Sequence, residues 1–131
     1  MIGLDTNVLV RYIAQDDAAQ SPLATRFIEG DCSVEQPGFI GLVTLVELVW
    51  VLESCYAATR SEVAVIVRRM LEAKQLLVQD AETVWKALHS FELGPADFAD
   101  CLVEKIAADA GCAQTVTFDK DAAKAGMKLL K

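Results

Sequence analysis

The sequence has one histidine, His89, and four cysteines, Cys32, Cys55, Cys101 and Cys112, none in a CxxC pair. Zinc sites of the usual spacing are therefore excluded, and no histidine or cysteine constellation offers a nucleophilic site. No glycine-rich phosphate loop is present, since Gly38-Phe-Ile-Gly41 reads as a turn. The longest apolar stretch, Phe39 to Leu52, is 14 residues long and contains Glu47; a membrane span needs roughly 20. The apolar opening Met1 to Leu4 is interrupted by Asp5, far short of the roughly 7–15 residues of a secretory core. The expectation is a cytoplasmic chain, away from membranes, whose thiols are reduced and buried. Internal repeats, low-complexity segments and linkers are also missing.

What remains is a strongly apolar chain of 131 residues, the size of one domain, here taken as 1–131. Hydrophobic residues make up 53% and mean hydropathy is +0.32. Such values suit a sheet covered on both faces, whose strands are apolar throughout. Net charge is −7, from 12 Lys and Arg against 19 Asp and Glu, which on its sum argues against a nucleic-acid partner. The distribution changes that reading. Setting aside the six acids Asp5, Glu47, Asp97, Asp100, Asp119 and Asp121 leaves 13 to face the 12 cations, so cations bound at those six make the remaining surface nearly neutral. Arg60, Arg68, Arg69 and Lys74 read as a solvated helix face.

Periodicity predicts a short strand at 1–4, a helix from Thr6 to Ala14, and a second from Ser21-Pro22 to about Glu29, stopped by Gly30. A strand is expected at Ser33 to Gln36, ended by Pro37-Gly38. Helices follow at Gly41 to Ser54 and from Arg60 or Ser61, with Ser61 as cap, to Ala73. A strand at Leu76 to Val78 precedes helices at Ala81 to Phe91 and Ala96 to Ala110. A strand at Gln114 to Phe118, a short helix, and a strand at Lys128 to Leu130 complete the chain. Alternating strands and helices imply parallel crossovers and an α/β fold, a three-layer α/β/α sandwich with a central parallel sheet. Trp50 and Trp85 read as core, and His89 as a surface or partly buried side chain.

The acids carry the functional signal. Asp5 and Asp119 each directly follow an apolar strand, at the carboxyl edge where parallel sheets bind ligands; an N-cap role is the plainer alternative. Glu47 lies in the apolar run Val43 to Leu52, where an unpaired carboxylate costs several kcal/mol. The alternative there is a single wet helix face with Thr44 and Ser54. Asp97, Asp100 and Glu104 share a helix face; Asp97 suits a helix start, Asp100 lies deeper, and Glu104 reads as solvated. Carboxylates brought together raise one another's pKa, a conflict that Mg2+ or Mn2+ resolves. Thr117 and Asn7 are placed to orient Asp119 and Asp5.

Ile2-Gly-Leu-Asp-Thr-Asn-Val-Leu-Val10, Val46-Glu-Leu-Val-Trp-Val-Leu52, Gly94-Pro-Ala-Asp-Phe-Ala-Asp-Cys-Leu102 and Thr115-Val-Thr-Phe-Asp119 together resemble the PIN-domain family, and more narrowly its VapC-type ribonuclease toxins. The resemblance implies a sheet of order 3-2-1-4-5 and Mg2+- or Mn2+-dependent cleavage of single-stranded RNA regions. It also implies a homodimer and inhibition by a small VapB-like antitoxin. It assigns Asp5, Glu47, Asp100 and Asp119 as catalytic and Asp5, Asp100 and Asp119 as metal ligands, with Asp97 as a supporting acid. The alternatives are a receiver-like phosphoacceptor module, for which the acid order fits poorly, and an inactive PIN-like binding module.

Overall fold

The computed structural model describes all residues, 1–131. They form an α/β fold of parallel strands and flanking helices, divided into two compact units, Met1–Gln79 and Asp80–Lys131. In the first, β1 (Ile2–Gly3), β2 (Gly38–Ile40) and β3 (Leu76–Val78) form a parallel sheet of order β1-β2-β3. Its helices are α1 (Thr6–Ala14), α2 (Gln20–Arg26), α3 (Leu42–Cys55) and α4 (Arg60–Glu72). In the second, α5 (Ala81–Leu93) packs on α6 (Phe98–Asp109), and β4 (Val116–Thr117) and β5 (Lys128–Leu129) pair in parallel around α7 (Lys120–Lys124). The expected order 3-2-1-4-5 is thus met within each sheet, 3-2-1 and 4-5. The strands are joined as two ladders instead of one, and β1 and β4 are only two residues long.

The second strand departs from expectation. Ser33 to Gln36 is a turn, closed by Ser33 N–H to the Gln36 carbonyl at 3.0 Å and Gln36 N–H to Ser33 Oγ at 3.1 Å. Pro37-Gly38 opens the strand, where proline's missing N–H is harmless. The chain approaches closely at Gly38: a Cβ there would lie 2.7 Å from Leu4 Cδ1 and 3.2 Å from Cys32 Sγ, so any larger residue would have to move the Leu4 side chain. Burial and the charge of Asp31 push the Cys32 thiol pKa up. Cys32 and Cys101 are buried as free thiols, but Cys55 and Cys112 are exposed, against the expectation that all four are interior.

The second helix runs past Gly30 in a π-helical turn, Phe27–Asp31, which keeps Ile28 fully buried. The cap of α4 is Thr59, in a reciprocal capping box with Glu62, and Ser61 lies inside the helix. The core of the first unit gathers Leu9, Ile28, Ile40, Leu45, Leu48 and Val63. In the second, Phe91 and Phe98 meet edge to face at 5.8 Å; burying each ring is worth about 1.5–3 kcal/mol. Trp50, expected in the core, is 62% exposed, because α3 buries only the stripe Leu45, Leu48, Val49 and Leu52. Trp85 is half-buried and His89 is exposed. No helix is long and apolar enough to cross a membrane.

Candidate active site

In the first unit Asp5 leaves β1 with an extended backbone and caps α1, its Oδ1 accepting from the Thr6 N–H at 2.8 Å. Thr6 is buried, and its hydroxyl donates to Oε1 of Glu47 on α3. One residue therefore holds two carboxylates, Asp5 by its main chain and Glu47 by its side chain. Glu47 itself is exposed, on the face of α3 that carries Val43, Trp50 and Ser54. The desolvation argument for Glu47 accordingly fails; what sets this carboxylate apart is its bond to Thr6. Asn7 is exposed and lines the groove beside Ile2 and Arg11, while the orienting contact to Asp5 comes from its neighbour Thr6.

In the second unit the acids meet one another. Asp97 caps α6, its Oδ1 accepting from the Asp100 N–H at 2.7 Å. Asp119 caps α7, accepting from Asp121 N–H at 2.7 Å and Ala122 N–H at 3.1 Å. Thr117 acts on Asp119 through the backbone, its Oγ1 accepting from the Asp119 N–H at 3.0 Å. Asp100, half-buried in the first turn of α6, has its pKa raised by burial first, then by the negative charges of Asp97 and Asp119, and by a hydrogen bond with Asp97. Glu104 is not the solvated acid expected. Its side chain is only 18% exposed, and its buried Oε2 lies 3.1 Å from Lys105 Nζ without hydrogen-bond alignment.

The N-cap alternative is thus realised for Asp5, Asp97 and Asp119, and it does not compete with chemistry. Each cap engages Oδ1 alone. The cap also fixes the direction of the carboxylate, a prerequisite for any ligand or catalytic group. No three histidine, cysteine or acidic side chains close around a point able to hold an ion. The donors nevertheless fit a hard divalent cation in kind, because all are carboxylate oxygens, and the mutual repulsion at Asp100 is what such a cation relieves.

A model of the PIN domain matches residues 2–128. The chain belongs to the PIN-domain family. PIN domains are in general metal-dependent nucleases. The match covers both units and all the acids described above. No curated protein matches the chain.

Thr6 is the residue that the sequence reading passed over. Its signal was available: a hydroxyl directly after a capping aspartate, at a helix position whose neighbours Leu9 and Val10 face the core. A polar side chain on a buried stripe needs a partner, and here that partner is Glu47.

Proposed function

We propose that this PIN domain is a metal-dependent endoribonuclease that cleaves single-stranded regions of RNA, and that it is the VapC-type toxin of a bacterial toxin–antitoxin pair. The observation that carries the reading is the gathering of Asp97, Asp100 and Asp119 in the second unit, where the pKa of half-buried Asp100 is raised by burial first and then by the charges of the other two. Evenly solvated surface aspartates do not raise one another in this way. A divalent ion, Mg2+ or Mn2+, supplies positive charge to the phosphate and makes water a better nucleophile when bound. Asp5, Asp100 and Asp119 are the residues to hold it, with Asp97 in support. The chain's own contribution is orientation and proton handling. Its helix caps aim Asp5 and Asp119, and Thr6 aims Glu47. A carboxylate of the set that the ion leaves free would accept the proton of the water that attacks phosphorus. The P–O bond opposite that water then breaks, and the leaving oxygen takes up a proton. Incubation of the purified protein with total RNA should give cleavage with Mn2+, little in EDTA, and none with Asp5→Asn. Metal-independent cleavage, or equal cleavage by that variant, would overturn the reading.

The same reading brings a homodimer, a cytoplasmic setting and a small VapB-like antitoxin. An antitoxin Arg or Lys placed among the carboxylates pairs with them and displaces the metal. Self-association is supported by large apolar side chains left at the surface, Val43 at 85%, Trp50 at 62% and Leu23 at 58% exposure. Light scattering at micromolar concentration should give a dimer mass. Expression alone in a bacterium should arrest growth, an effect that Asp5→Asn removes.

A further inference from the structure

Three helices of the second unit converge on a pocket of about 400 Å³ that no carboxylate lines. Lys86 and His89 enter it from α5, Lys105 from α6 and Lys124 from the last turn of α7, with Ser90 and Gly94 among the remaining walls. A quarter of the chain's 12 lysines and arginines thus border one concavity in a protein of net charge −7. The three ammonium groups are partnered unequally. Lys86 Nζ is 3.5 Å from Asp109 with both side chains near half exposure, the kind of surface pair worth little in water. Lys105 Nζ is ion-paired with the largely buried Glu104 Oε2 at 3.1 Å, though without hydrogen-bond alignment, so Lys86 and Lys124 are the freer charges. Lys124 is exposed and has no ion-pair partner.

We propose that this lysine pocket is a docking site for the phosphate backbone of single-stranded RNA. Three ammonium groups on separate helices stand apart as point charges, the arrangement that grips a run of phosphates without reading bases. The proposal rests on RNA as substrate and extends that reading by naming a place, lined by none of the acids, where the strand is held. Positive charge concentrated here also gives a polyanion a place to land on an acidic protein.

The test is fluorescence anisotropy of a labelled single-stranded oligoribonucleotide, titrated in EDTA over a range of salt. Wild type is compared with the triple variant Lys86→Gln, Lys105→Gln, Lys124→Gln and with Lys74→Gln as a control from the first unit. Loss of three phosphate contacts should weaken binding about tenfold at low salt. It should also flatten the slope of log affinity against log salt by about 2, at roughly 0.7 per single-strand contact. If the triple variant fails to fold by circular dichroism, Lys124→Gln alone should flatten the slope by about 0.7. Unchanged affinity and slope would overturn the proposal. So would loss of inorganic-phosphate binding, read by phosphorus NMR line width, with RNA affinity intact, since that marks a site for a small phosphate compound. Binding through the lysines by a protein that cleaves nothing with Mn2+ would leave the pocket standing and remove the ribonuclease reading.

Discussion

The two halves of the chain share one way of holding their carboxylates and differ in what surrounds them. In residues 1–79 the acids are held by neutral donors: a main-chain N–H for Asp5 and the Thr6 hydroxyl for Glu47. In residues 80–131 main-chain N–H groups likewise hold Asp97 and Asp119, but Asp100 beside them has its pKa raised, by burial first and then by their negative charges. The first arrangement is stable without a ligand. The second stores electrostatic repulsion that a cation or a proton removes. Both halves thus fix carboxylate directions, and the second adds a demand for positive charge.

The largest effect that tests this contrast is on turnover. Asp100→Asn should lower metal-dependent RNA cleavage by at least about a hundredfold, the scale of losing one fixed electrostatic group, and leave the fold intact. An active Asp100→Asn protein would show that the crowding is incidental. Next comes Thr6→Val, which keeps the buried shape and deletes the hydroxyl. A residue that only orients a catalytic neighbour costs about 10–100-fold when removed, and Thr6→Ser should recover most of the loss. If Thr6→Val changes thermal stability and not the rate, the contact to Glu47 is merely structural.

A smaller pair of substitutions separates capping from charge. Asp97→Ala should cost about 1 kcal/mol in a denaturant titration by removing the α6 cap, while Asp97→Asn, an equally good cap, should cost almost nothing. Cleavage by Asp97→Asn should also fall less than by Asp100→Asn. The smallest effect is on pH dependence. A carboxyl whose pKa is raised on folding binds its proton more tightly in the native state, so stability is lost as pH rises through the interval between its unfolded and folded values. In EDTA, Asp100→Asn should therefore melt slightly higher than wild type at neutral pH, and the difference should vanish below the ordinary aspartate range. A difference of equal size at all pH values would mean that Asp100 is not raised.

Long amphipathic elements were legible in the sequence, and α1 and β3 were placed to the residue. The misplaced strand shows why punctuation is weaker. Pro37-Gly38 signals a break, yet the strand follows it because Gly38–Ile40 pairs with Ile2–Gly3 and Leu76–Val78, partners no local window contains. Of the acids, Asp5, Asp97 and Asp119 were legible as strand-to-helix junctions. Glu47 was singled out for burial that it does not have, because a helix apolar at every register hides which stripe faces the core. The lysine pocket was illegible for a different reason: Lys86, Lys105 and Lys124 are far apart in sequence and share no motif.

The four free thiols have a use unconnected with catalysis. Each half of the chain carries one shielded sulfur and one accessible one: Cys32 and Cys55 before residue 80, Cys101 and Cys112 after it. An alkylating reagent should modify Cys55 and Cys112 at once and reach Cys32 or Cys101 only when the surrounding residues open. Intact mass spectra taken during a pulse of reagent in mild denaturant then report opening half by half. Passage from two labels directly to four signals a single cooperative event, whereas a three-label species signals that one half yields first, and peptide mapping tells which.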